Sequence, residues 1–368
     1  MYQGAFANKV VWMSGHTGFK GAWLAEWLLG LGAKVHGFSL LPPTSPSLFD
    51  QLGLAQRMNS ELGDVRDLSA VDHSIRATQP DYVFHLAAQP LVRESYVSPV
   101  ETYATNVQGT VHVLDALRHL ERPCAAVFVT TDKCYENREW LYGYREEDPL
   151  GGHDPYSSSK AAAEVAIQSF RRSFFKNKPV HIASARSGNV IGGGDWAMDR
   201  IVPDCIRNLK EGRAISLRNP RSTRPWQHVL EPLSGYLLLA ATLAGFHRPA
   251  TQGYDPRTAF NFGPGPEANR PVVELVEELL KHWPGRWVDA RSSNAVHEAS
   301  LLQLCADKAR NELKWAPVWR FEEAVAQTAI WYREADRAAD IPQLVNLTRL
   351  QIARYCLQAG SSQLAWAA

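Results

Sequence analysis

Gly15, Gly18 and Gly21 form a GxxGxxG pattern directly after the apolar run Val10–Met13 and lead into a segment where Phe19, Trp23, Trp27 and Leu31 recur at helical spacing. An apolar run, a tight glycine turn and a helix make up the opening of a βαβ unit, and glycines there let one backbone approach another, or a phosphate, closely. Further apolar runs at Lys34–Phe38, Tyr82–Phe84, Ala125–Val129 and Val180–Ala183 are separated by longer segments of helical period. That alternation predicts a doubly wound parallel sheet with helices on both faces.

After Asn189 the texture changes: Gly192-Gly193-Gly194, Pro203, Pro220, Pro225, Pro264 and Pro266 punctuate the chain, and helical segments are less regularly spaced. The expected architecture is therefore α/β, with a Rossmann-type domain over 1–189, a return strand near 259–263, a smaller substrate-binding lobe over 190–340 and a C-terminal tail over 341–368. A net charge of +1 builds in no general attraction to nucleic acid or membrane. The most apolar stretch, Leu233–Phe246, is too short for a bilayer core of roughly 30 Å and reads as a buried helix. The five cysteines are scattered, with no CxxC pair, which suits reduced thiols; with no charged-then-apolar opening, a cytoplasmic protein is expected. Neither HExxH nor a Cys/His cluster is present, so no metal site is expected.

The glycine loop, Gly15-His16-Thr17-Gly18-Phe19-Lys20-Gly21, is the candidate pyrophosphate site. His16 and Lys20 are placed either to meet phosphate charge or to lie on the surface. His85-Leu86-Ala87-Ala88 ends a strand with small residues that let the chain pass close to a cofactor. The second apolar run ends Gly37-Phe38-Ser39-Leu40-Leu41, with neither an acidic residue for ribose hydroxyls nor an Arg for a 2′-phosphate. The choice between NAD and NADP is not written there.

Tyr156 and Lys160 stand four apart at the start of an alanine-rich helix, so both side chains lie on one face. A lysine ammonium there would lower the tyrosine pKa and make it a usable base toward a hydroxyl. Thr131, at the end of the fifth strand, would hydrogen-bond the reacting hydroxyl. These residues and the glycine spacing resemble the extended short-chain dehydrogenase/reductase family. The resemblance implies that Asp64, in Asp64-Val65, meets the adenine amino group, that Asn106 is a helix residue associated with the Thr131–Tyr156–Lys160 triad, and that Asn106, Tyr156 and Lys160 are among the cofactor-binding residues.

Hydride chemistry alone fits epimerases, reductases and dehydratases. Eliminating water from a hexose needs two more proton-transfer groups, one for the C5 proton and one for the departing C6 hydroxyl. Asp132 and Lys133, directly after Thr131, supply them as acid and base. As a C5 base, Lys133 would need a lowered pKa. The stretches TTDKCYENREW (from Thr130), PYSSSKAAAE (from Pro155), SGNVIGGGDW (from Ser187), RPWQHV (from Arg224) and HLAAQPLVRESY (from His85) resemble nucleotide-sugar 4,6-dehydratases, in particular those acting on CDP-glucose. In that group an acidic pair is common where Asp132 and Lys133 stand.

Arg218, Arg221 and Arg224 crowd one segment, and guanidinium forks suit phosphate oxygens. The resemblance implies a nucleotide site of Asn189, Arg200, Arg224 and, more weakly, Asn261. It also implies NAD as cofactor, conversion of CDP-glucose to CDP-4-keto-6-deoxyglucose in deoxysugar (O-antigen) biosynthesis, and a homodimer or homotetramer. The cytosine is implied by the resemblance alone. An epimerase or reductase on another nucleotide sugar, or a non-catalytic dinucleotide-binding regulator, are the alternatives.

Overall fold

The protein is seen in a computed structural model that describes residues 1–290 and 301–367. Residues 291–300, within the expected second lobe, lie outside the described residues.

Strands β1 (Val10–Ser14), β2 (Lys34–Ser39), β3 (Asn59–Leu62), β4 (Tyr82–His85), β5 (Cys124–Val129), β6 (Val180–Ser187) and β7 (Ala259–Phe262) form one seven-stranded sheet in the order 7-6-5-4-1-2-3. Every pairing is parallel. Helices α1 (Phe19–Gly30), α2 (Leu68–Thr78), α3 (Gly109–Arg118), α4 (Pro155–Ser173) and α6 (Leu230–Leu243) cover it, and α5 (Ile201–Lys210) and α7 (Val272–His282) belong to the smaller lobe. Two more, α8 (Phe321–Arg337) and α9 (Ile341–Ser361), follow.

Strand alternation divides the core in two. Val11, Met13, Phe84, Val127 and Ala185 face α1, α6 and α9, while Trp12, Val83, Ala126, Phe128 and Ile182 face α2, α3 and α4. Helix α6 is buried along its whole length, as its apolar run predicts. β3 was not visible as an apolar run: Asn-Ser-Glu-Leu is an edge strand held by pairing with β2, with Glu61 2.9 Å from the His36 ring.

The sheet order reverses between β1 and β4, which opens a crevice beyond the carboxyl ends of the strands. The smaller lobe overhangs it with three two-stranded ribbons: Val190–Ile191 with Gln227–His228, Thr223–Pro225 with Asn269–Pro271, and Ile215–Leu217 with Trp287–Asp289.

Residues beyond Asp340, read from sequence as a tail, form a 21-residue helix docked on the sheet domain. The Arg349 Nε donates to the buried carboxylate of Glu26 at 2.7 Å, and Tyr355 packs edge-on against Trp27. Trp366 stacks on Tyr2. Apolar partners spread along α1 and the N-terminal turn thus decide the helix.

Candidate active site

A cleft of about 1260 Å³ runs from the glycine loop, across the ends of β1, β4, β5 and β6, to the smaller lobe. On its first wall, Gly15 has φ +73°, and a Cβ there would stand 2.7 Å from the Ala87 nitrogen. A Cβ at Gly21 would meet the Gly15 carbonyl oxygen at 2.1 Å. The turn is closed to side chains because β1, α1 and the Leu86–Ala88 turn touch by main chain. Gly18 caps α1 without a side-chain acceptor, which leaves first-turn N–H groups for an anion. Gly15, Thr17, Gly18, Phe19, Lys20, Gly21, Asp64, Val65, Leu86, Ala87 and Ala88 all line the cleft. This cradle and its donors fit an extended dinucleotide.

The Leu86–Ala88 turn is held from behind. Ser14 Oγ accepts from the Leu86 and Ala87 nitrogens, both at 3.1 Å, so its own proton goes to His85 Nδ1 at 2.7 Å. His85 then donates from Nε2 to Thr110. Burial keeps this imidazole neutral, pushing its pKa down to about 3.

Three expected contacts do not reach the cleft. His16 is fully buried behind the glycine loop: its ring fills the space above Gly37, and Nε2 lies 2.8 Å from Ser60 Oγ. Burial lowers its pKa to about 4, so it offers no charge to a phosphate. Asn106 is in a π-helical turn (Ala104–Gln108) and is wholly occupied with the Gln89 backbone and Ser159 Oγ, tying the turn after β4 to α4. Asn261 is buried on β7, accepting from the Tyr135 hydroxyl at 2.8 Å and donating to the Tyr144 and Cys305 carbonyls. It is a structural group, not a substrate contact. Lys20 does line the cleft but turns away from the pyrophosphate cradle: its ammonium donates to Ser187 Oγ at 3.0 Å and to Tyr236. Burial first, and then Arg200, lower it to about 7. Ser187 opens one of the stretches that carry the resemblance and Tyr236 carried no sequence signal; each reaches Lys20 only through the fold. At the end of β2, Ser39 bonds Thr17, and Leu40 and Leu41 line the cleft. Asp64 is gripped by Arg66, whose hydrogen bonds hold the carboxyl below its usual range.

The reacting groups converge at the ends of β5 and α4. Asp154 caps α4 by accepting from the Ser157 nitrogen at 2.9 Å, which fixes the first turn that carries Tyr156. Tyr156, Lys160, Thr131, Asp132 and Lys133 all line the cleft. Burial raises the Tyr156 phenol to about 12, opposed by a hydrogen bond with Thr131 and by the Arg200 guanidinium. The Lys160 ammonium points to the Val129 carbonyl, and burial brings it down to about 8. Thr131 donates to Asp132 Oδ1 at 2.9 Å. The other carboxylate oxygen, Oδ2, is buried without a hydrogen-bond partner, packed over Gly188. A lone carboxylate oxygen out of water is costly unless it takes or gives a proton. Lys133 is 26% exposed in the cleft with Nζ 3.8 Å from Asp132.

On the far wall stand Asn189, Arg200 and Arg224. Arg200 is anchored by Asp195 at 2.9 Å, and Arg224 donates to the Thr223 carbonyl. Arg218 pairs with Asp199 at 2.7 Å and, like Arg221, is not part of the lining. Among the described residues no group of His, Cys, Asp and Glu is placed to hold a metal ion, and no helix is long and apolar enough to cross a membrane.

A parallel sheet in this order, a glycine cradle at its switch point and a Thr–Tyr–Lys set at the same cleft define a short-chain dehydrogenase/reductase scaffold of the extended type. Residues 13–245 match the family described as GDP-mannose 4,6 dehydratase, and the chain belongs to that family. It is 45% identical to the CDP-glucose 4,6-dehydratase of Salmonella typhimurium over 91% of this chain and 93% of that one. It is 33% identical to a dTDP-glucose 4,6-dehydratase of Streptomyces antibioticus over 74% and 75% of the two chains. Among solved structures, the fold matches that of DesIV, a dTDP-glucose 4,6-dehydratase of Streptomyces venezuelae with NAD and TYD bound (TM-score 0.75, 23% identity, 88% of this chain and 97% of that one). It also matches a UDP-glucose 4-epimerase of Thermotoga maritima (TM-score 0.72, 19% identity, 88% and 98%).

Proposed function

We propose that this chain is an NAD-dependent hydro-lyase that converts CDP-glucose to CDP-4-keto-6-deoxyglucose. The observation that carries the reading is the buried, half-partnered Asp132 beside cleft-facing Lys133, directly after Thr131 and opposite Tyr156. A 4-epimerase or a reductase, which moves only hydride and the hydroxyl proton at one carbon, has no use for two further proton-transfer groups. The substrate reading is supported by the 45% identity to the Salmonella enzyme across nearly both chains.

Tyr156 takes the proton of the C4 hydroxyl, hydrogen-bonded by Thr131. When bound, NAD supplies the oxidant that removes hydride from C4 and returns it to C6. The ketone acidifies the C5 proton, which Lys133 removes as Asp132 protonates the departing C6 hydroxyl; Lys133 then returns a proton to C5. Tyr156 ends protonated and Asp132 deprotonated, and the hydrogen bonds through Thr131 offer a path for the one proton that resets them. Arg200 and Arg224 hold the diphosphate, with Asn189 beside them.

The apolar side chains of Val97, Val100, Tyr103 and Val165, all exposed beside or on α4, support a homodimer or homotetramer formed through these helices. Five unpaired cysteines support a cytoplasmic setting. The test is incubation with NAD and a panel of nucleotide-linked glucoses, followed by mass analysis. Loss of water from CDP-glucose without added reductant is expected; epimerised or unchanged sugar in every case would overturn the reading.

A further inference from the structure

One helical turn beyond Lys160, away from the cleft, α4 carries a buried ion pair that the reaction does not use. Glu164 and Arg186 are 3% and 4% exposed, and neither lines the cleft. Glu164 Oε1 accepts from the Thr130 hydroxyl; Oε2 accepts from Ser184 Oγ and from Arg186 Nη2, both at 2.8 Å. Arg186 Nη1 donates in turn to the Tyr135 hydroxyl at 2.7 Å and to the Glu146 carbonyl at 3.0 Å, with the guanidinium over the Tyr135 ring.

Thr130 and Tyr135 flank the segment Thr131–Cys134, which holds the acid, the base and the hydroxyl of the reaction. The pair therefore grips that segment at both ends and ties it to the helix bearing Tyr156 and Lys160. As a stability device it is a poor choice: two charges out of water are seldom better than well-packed apolar residues of like volume. As a spacer it has what apolar packing lacks, directed bonds to both flanks.

We propose that Glu164 is a positioning residue that, through Thr130 on one side and Arg186–Tyr135 on the other, sets Thr131, Asp132 and Lys133 against Tyr156 and Lys160. The inference rests on the catalytic roles proposed above. Its charge also bears on Lys160. Burial lowers that ammonium, and the groups that oppose burial are Glu164 on the same helix and the Cys134 thiol from the turn after β5. The other titratable groups in its field are His85 from β4, neutral, and Lys20 from α1. Glu164 itself faces Arg186 from β6, and Arg171 on α4 lies in its field.

Glu164→Gln keeps the shape but removes the carboxylate that pairs with Arg186 and holds up the charge on Lys160. The basic limb of kcat against pH, where Lys160 loses its proton, should move about one pH unit toward acid. KM for CDP-glucose should stay within about twofold, because no substrate contact is touched. Solvent deuterium exchange at C5 should slow more than C4 oxidation. A double variant, Glu164→Leu with Arg186→Met, removes both charges and should recover the thermal midpoint, yet keep the displaced limb and the slow exchange. Recovery of wild-type kcat, limb and exchange by the double variant would reduce the pair to a structural role and overturn the proposal. Should Glu164→Gln fail to fold, Thr130→Val carries the test, cutting one flank and leaving both charges. It should lower kcat and C5 exchange with the basic limb unmoved, and wild-type values would overturn the positioning role. If the wild-type protein releases no water from CDP-glucose, the catalytic reading itself falls, a result separate from variants that merely match a working wild type.

Discussion

On the side of the cleft formed by β1, α1 and the Leu86–Ala88 turn, the surface is main chain and small residues; on the side of Asn189, Arg200 and Arg224 it is long polar side chains, some of them braced by a second residue such as Asp195. The first wall works by letting backbone come close, so its requirement is the absence of side chains at fixed intervals. The second works by placing charge, so its requirement is a partner for each charge, and those partners come from anywhere in the chain. Between the two, Tyr156, Thr131, Asp132 and Lys133 occupy the ends of two sheet-domain elements, where rigid secondary structure sets their spacing.

The largest expected effect falls on this middle region. Tyr156→Phe removes the oxygen proposed to take the C4 proton and should lower kcat by about 10²–10⁴-fold, with NAD affinity unchanged by titration calorimetry. Near-normal turnover would move the base elsewhere and dissolve the division into walls and centre.

Next in size, Lys133→Ala leaves C4 oxidation possible and removes the base proposed for C5. Reduced cofactor should accumulate, seen by its near-ultraviolet absorbance, while 6-deoxy product and C5 deuterium exchange fall by at least about tenfold. Full product yield would assign both proton transfers to Asp132.

The two walls can be set directly against each other. Gly15→Ala forces a Cβ against the Ala87 nitrogen at a φ of +73° and should weaken NAD binding about tenfold or more, with CDP-glucose affinity little changed. Arg224→Ala should do the reverse, raising KM for CDP-glucose about tenfold through loss of a charge-assisted phosphate contact. Crossed effects of equal size in both variants would show that the walls are coupled and not separable.

The smallest effect lies outside the cleft. Glu231, fully buried on α6, is pushed by burial up to about 7 against an ordinary 4.5. Between those two values the folded state holds a proton that the unfolded chain has released, so the residue's contribution to stability falls as pH rises from 4.5 to about 7. Glu231→Gln should remove that decline. His16, lowered to about 4, and His228, lowered to about 3, act with the opposite sign but are shared by both proteins. The thermal midpoint of the wild type minus that of the variant should therefore drop across this window; a flat difference would refute the linkage.

These contrasts also explain what could be read from the chain alone. The glycine wall was legible because close approach of backbone leaves a periodic trace in sequence, and the Tyr156–Lys160 pair because helix geometry converts a spacing of four into a shared face. Five of the sheet strands announced themselves as apolar runs, whereas β3, a polar edge, did not. His16, Asn106 and Asn261 were misplaced for one reason: each is a polar residue in or near a motif, and only the tertiary fold shows that it is turned toward Ser60, Gln89 or Tyr135 and away from the cleft. Glu164 stood in plain view in the middle of the alanine-rich helix, but its meaning depends on Arg186 on β6. Sequence shows what a residue can do, while partners decide what it does.

The docking of α9 on α1 has a consequence for the order of events during synthesis. Glu26 emerges from the ribosome early and is matched first by Arg57, but Arg349, its second counter-ion, is made hundreds of residues later. Trp27 likewise waits for Tyr355, and Tyr2 for Trp366. The sheet can therefore assemble while the chain is still growing, but the flank formed by α1 stays uncovered until α9 has been made. Until Tyr355 and Trp366 are made, Trp27 and Tyr2 lack the aromatic partners that cover them, and chaperones that shield such surface would find their substrate there.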